Sequence, residues 1–103
     1  MSDEIHTEFE IKSSLILRET LQEMGKNFTE TKPDVFVLNR PYHNMVFNAN
    51  TGKISLDQEN KNEMDLITQN YQTNWYQDCA IREGNKVTRE VLVSGEIVLH
   101  VSR

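Results

Sequence analysis

The sequence predicts an α+β domain: a two-layer sandwich with one antiparallel sheet and two helices on one of its faces, in the order β-α-β-β-β-α-β-β. Three observations lead there. Several short runs alternate apolar and polar residues with period two, as half-buried strands do. One long stretch, Asn60 to Gly84, repeats its apolar residues at helical spacing. Turn signals, Asn50-Thr51-Gly52 and Ser94-Gly95, separate β-forming runs closely enough for hairpins. Helices separated by a strand meander and packed on one side of it predict a ferredoxin-like arrangement.

Residues 4–12 open the chain as a strand, with Ile5, Thr7, Phe9 and Ile11 on one face and Glu4, His6, Glu8, Glu10 and Lys12 on the other. Ser13 or Ser14 then supplies a hydroxyl to the free N–H groups of a first helical turn. Leu17, Leu21 and Met24 follow on one face, and Gly25 is the left-handed residue that ends the helix. Residues 26–33 are polar and end in Pro33, which fits a short edge strand or a loop. Asp34 to Asn39 is apolar on both faces, as an interior strand is. Arg40-Pro41-Tyr42-His43 reads as a turn. Asn44 to Asn48 and Lys53 to Asp57 complete the meander.

In the long helix, Asn60 and Glu63 have the spacing of a capping box. At about 100° per residue, Met64, Ile67, Tyr71, Trp75 and Cys79 share a narrow stripe suited to the core. Leu66, Thr73, Tyr76 and Ala80 lie opposite. Either a loop or terminus covers that second face, or it is a subunit interface, and two-fold dimers are the commonest oligomers. Gly84 ends the helix; Lys86 to Val93 and Glu96 to Ser102 form a closing hairpin.

The 103 residues make a single domain, 1–103, with room for one core. The net charge is −5, and residues 1–30 are the most acidic part. An acidic chain without a basic stripe argues against general nucleic-acid binding. Arg40, Lys86, Arg89 and Arg103 are the residues that such binding would use. The single cysteine forms no internal disulfide. No apolar run reaches the roughly 20 residues of a membrane span, and the acidic opening MSDEIHTEFE is unlike a secretory signal. The expected setting is cytoplasmic.

The segment ITQNYQTNWYQDCAIREGNKVTREVLVSGEIVLHVSR, with Thr68, Gln69, Tyr71, Asn74, Gly84, Gly95, Ile97, Leu99, Val101 and Arg103, resembles the C-terminal half of a small family found in cyanobacteria, plastid genomes and some phages. That family is the conserved plastid reading frame usually numbered thirty-five. The first strand and the helix ending at Met24-Gly25 are also similar. The resemblance implies the fold and a cyanobacterial or phage-like setting; it implies no reaction, because the family has none assigned. The family's paired tryptophans are replaced here by ISLDQENKNE, which keeps Asp57 and has no Trp.

The residues offer no catalytic constellation. Cys79 sits on the core stripe, where a thiol behaves as a small apolar group. His6, His43 and His100 lack the spacing of a zinc site, although His6 and His100 would meet if the first and last strands paired. Glu8 and Glu10 face solvent without a cleft to shift them. No phosphate loop or dinucleotide fingerprint is present. The expectation is therefore a protein without metal or cofactor, most simply a binding or regulatory module that works through protein contact, as a homodimer. Its interface residues would be Leu66, Thr73, Tyr76 and Ala80. The alternative is a small dimeric enzyme with a pocket between helices and sheet, at Tyr42, His43, Tyr71 and Trp75.

Overall fold

The computed structural model describes residues 4–94 and 96–102. Five antiparallel strands form one sheet, in the order β1-β5-β4-β3-β2. They are β1 (Glu4–Glu8), β2 (Thr29–Lys32), β3 (Val35–Leu38), β4 (Met45–Asn48) and β5 (Lys53–Asp57). Two helices, α1 (Ser14–Glu23) and α2 (Lys61–Arg82), pack on one face, and β6 (Lys86–Val91) pairs with β7 (Ile97–Ser102) as a separate ribbon.

The α+β class and the meander follow the sequence pattern. The ferredoxin-like arrangement does not, because strand order and strand count both differ from it. The reason is one of length. A helix of 22 residues extends about 33 Å, whereas strands of four or five residues cover roughly 13–17 Å. The second half of α2 therefore runs past the sheet, and the hairpin begins beyond the sheet's reach. His6 and His100 consequently do not meet: β1 pairs with β5, and His100 lies 2.9 Å from Glu90 on its own hairpin.

Register places Phe36 beside Phe47, Leu38 beside Met45, and Phe47 beside Ile54. These side chains, with Leu56, are at most 1 % exposed and face Leu17 and Leu21 of α1 and Met64, Ile67 and Tyr71 of α2. On the other face Val35, Val37 and Val46 stay half-buried. The apolar second face of the 34–39 run is thus left open.

Local signals explain most boundaries. The Ser13 hydroxyl accepts from the Ile16 N–H and starts α1; Gly25 ends it at φ +69°. The polar 26–33 stretch yields the edge strand β2, closed onto β3 by Pro33 and a left-handed Asp34. β1 stops at Glu8 rather than running to residue 12. The Phe9 N–H still reaches the Gly52 carbonyl at 2.8 Å, but the chain then turns toward α1. That approach requires Gly52: its φ is +75°, and a Cβ there would stand 2.8 Å from the Phe9 carbonyl oxygen.

The predicted capping box is absent. Asn60 makes no side-chain cap bond. Asp57 instead accepts from the Glu59 N–H at 3.0 Å and opens a short 3-10 turn over Gln58–Asn60, which leads into α2. Glu63 is taken by two cations. Arg40 grips it through Nε and Nη2, at 2.6 and 2.7 Å, and Lys26 Nζ lies 2.8 Å away. Three charge-assisted hydrogen bonds from two cations outweigh one exposed capping bond.

Candidate functional site

The core stripe of α2 divides along its length. Met64, Ile67 and Tyr71 are buried, while Trp75 and Cys79 are only partly covered. Beyond Tyr71 the helix has passed the sheet, so the stripe emerges from the core. A cleft forms at that point.

This cleft is lined by Phe9, Glu10 and Lys12 from the link between β1 and α1, and by Tyr71, Gln72, Trp75 and Tyr76 from α2. Its floor is aromatic. Phe9 meets Tyr71 edge to face, with centroids 5.7 Å apart and planes at 78°. Trp75 meets Tyr76 likewise, at 5.4 Å and 72°. Both are favoured quadrupole geometries. The Tyr71 hydroxyl accepts from the backbone N–H groups of Lys12 and Ser13, at 2.8 and 3.2 Å. It fixes the link against the helix and is committed to that task. Lys12 Nζ lies 4.4 Å from the centre of the Trp75 ring, a cation–π contact at the rim.

Of the residues expected from the sequence at a pocket, the structure brings Tyr71 and Trp75 together here. Tyr42 and His43 are elsewhere, on the β3–β4 turn at the opposite end of the sheet. Tyr42 is exposed at φ +68°, and Arg40 beside it anchors the turn to Glu63. Phe9, Lys12 and Gln72 were not singled out by sequence reasoning. Phe9 carried a signal all the same, as the one aromatic residue on the apolar face of the first alternating run.

The face opposite the core stripe is open. Leu66 and Tyr76 are 53 % and 63 % exposed; the smaller Thr73 lies between them and Ala80 one turn beyond Tyr76, both partly covered. Tyr76 belongs both to this face and to the rim of the cleft.

The cleft volume of about 160 Å³ is below the roughly 300–1,000 Å³ usual for small-molecule sites. It suits one inserted side chain better than a cofactor. A larger groove of about 290 Å³ between α1, α2 and β6 is polar, with Glu19, Glu23, Asp78 and Arg89 on its walls. Among the described residues, no group of His, Cys, Asp and Glu is arranged to hold a metal ion, and no helix is long and apolar enough to cross a membrane.

The strongest electrostatic perturbation lies away from the cleft. The Arg40 guanidinium, and after it Lys26, lower the Glu63 carboxyl from 4.5 to about 2 against the opposing effect of burial. Glu30 is lowered by the Asp34 backbone N–H and by Arg18. Both are structural ties between elements. Compared with known proteins, the chain matches no protein-family model, no curated protein and no solved structure.

Proposed function

We propose that the protein is a non-enzymatic binding module that acts in the cytoplasm through protein–protein contact. Its contact site is the Trp75–Tyr76 edge of α2, and the adjoining cleft takes one apolar side chain of the partner. The observation that carries this reading is Tyr76: a large aromatic residue, 63 % exposed, with its ring edge set on Trp75 at the mouth of an aromatic cleft. Exposed aromatic residues beside a fillable pocket are where interface energy concentrates. Leu66 extends the apolar surface along the same helix, and the small Thr73 and Ala80 keep it flat enough for close approach. Kinship with the plastid reading-frame family belongs to the same proposal, supported by Thr68, Gln69, Tyr71 and Asn74 on this helix.

Panning displayed peptides against the protein tests it. Enriched peptides are expected to share one large apolar residue and to bind Tyr76→Ser about tenfold more weakly or worse, with an unchanged thermal transition. Equal affinity for the two proteins overturns the proposal.

A further inference from the structure

The two sheets present four edge strands, β1, β2, β6 and β7. An open edge invites another strand, and proteins guard it with charges, proline, bulges or shortness. β1 carries Glu4, His6 and Glu8 along its length. β2 has four residues, Thr-Glu-Thr-Lys, and its register slips between Glu30 and Lys32. β6 carries Lys86, Arg89 and Glu90. β7 is the least guarded, with His100, held 2.9 Å from Glu90 of β6, as its one ionisable residue. It is six residues long, reads Ile-Val-Leu-His-Val-Ser, and keeps an unbroken register with β6.

The ribbon also has a clear apolar face. Residues opposite one another share a face, so Val87, Arg89 and Val91 stand beside Val101, Leu99 and Ile97. Val91 and Val101 on that face are 63 % and 53 % exposed. The far half of α2 covers this face in part, at Val87, Ile97 and Leu99; a two-stranded ribbon is otherwise marginal in water, and further strands stabilise such a face.

We propose that the outer edge of β7 pairs antiparallel with β7 of a second copy of this chain, centred on Leu99, joining two ribbons into one four-stranded sheet. A second copy is the fitting occupant because this register is self-complementary. Ile97 falls opposite Val101 of the other copy and Leu99 opposite its own counterpart, so Ile97, Leu99 and Val101 of both copies share one face, with Val98 alone among the apolar residues on the other. On the polar face His100 falls opposite Val98. No like charges meet, and the two Arg89 side chains are kept apart by both β7 strands. Pairing through β6 about Arg89 would set Arg89 against itself. Joining β7 to β6 of the next copy would leave an edge open for endless addition, whereas the β7 pair closes by two-fold symmetry.

Sedimentation of the wild-type protein, Val101→Lys and Tyr76→Glu decides the matter, together with oxidation of Leu99→Cys and Val91→Cys in a Cys79→Ser background. The wild type is expected at twice the monomer mass, Val101→Lys at the monomer mass with unchanged far-UV circular dichroism, and Tyr76→Glu as a dimer. Leu99→Cys is expected to cross-link across the axis, and Val91→Cys is not. A monomeric wild type overturns the proposal. So does a dimer that survives Val101→Lys, or one that cross-links through Val91→Cys. Dissociation by Tyr76→Glu with Val101→Lys still dimeric would move the interface to α2. Because Tyr76 lies outside this edge, failure here leaves the peptide-binding reading standing, and the reverse also holds.

Discussion

Tyr71 joins three parts of the molecule through one side chain. Its ring is 3 % exposed in the core, its edge meets Phe9, and its hydroxyl satisfies two backbone donors ahead of α1. Tyr71→Phe keeps the ring and leaves both donors without that acceptor. An unmade hydrogen bond at a part-buried site costs about 1–2 kcal/mol, and chemical denaturation is expected to show a loss of that size with an unchanged slope. Glu63 makes a pH-dependent contribution. Its carboxyl is lowered in the folded protein from 4.5 to about 2, so the unfolded chain binds the proton more readily. The stabilisation is complete above pH 4.5 and fades as pH falls toward 2. Glu63→Gln is expected to cost about 1–2 kcal/mol at neutral pH. In melting curves between these limits the variant should lose less stability than the wild type; parallel curves would show that the Arg40–Glu63–Lys26 cluster adds nothing. Sequence reasoning could not find this cluster, because Lys26, Arg40 and Glu63 belong to three separate elements and no local pattern links them.

At the scale of elements, the local code was largely legible. Ser13, Gly25 and Gly84 mark helix ends as their chemistry requires, and the meander strands follow their alternation. The failures share a cause. Asn60–Glu63 has capping-box spacing, yet cations from two distant turns claim Glu63. The closing hairpin has sound strand patterns, yet nothing local says which sheet it joins. Helix length compared with strand length held that information. The hairpin packs on α2 with its apolar residues only partly covered, and Arg89 adds a side-chain hydrogen bond to a polar network on that helix. Asn74 Nδ2 donates to Thr20 Oγ1 at 2.9 Å and to Glu23 at 3.1 Å, while Arg89 donates to the Asn74 Oδ1. The meander instead rests on fully buried Phe36, Phe47 and Ile54. Amide exchange is accordingly expected to be faster across β6 and β7 of dilute protein than across β3, β4 and β5, by about tenfold or more. Asn74→Ala should widen the gap. Equal protection would mean that the ribbon is held by something stronger than this network.

The whole molecule measures 49 × 33 × 22 Å, with a radius of gyration of 14.6 Å. A compact domain of this length is expected near 13 Å. The excess reflects a helix longer than the sheet it covers and a ribbon attached to its far half. The separation also distributes roles: the packed end supplies stability, and the overhanging end exposes Tyr76, the cleft and the bare β7 edge. The sequence made the aromatic helix visible as the organiser of the fold, and it identified both faces of that helix. It could not show that the buried face surfaces after Tyr71, because periodicity records direction around a helix and not the distance at which its support ends.

The rim of the cleft has one more consequence. Trp75 is the sole tryptophan, and it sits partly covered, with the Lys12 ammonium above its ring and Tyr76 at its edge. Any guest that enters must dislodge that cation or exclude water from the indole. Both alter the polarity sensed by the excited ring. The protein thus carries a native optical gauge at the proposed contact site, and intrinsic emission can follow occupancy there without a label.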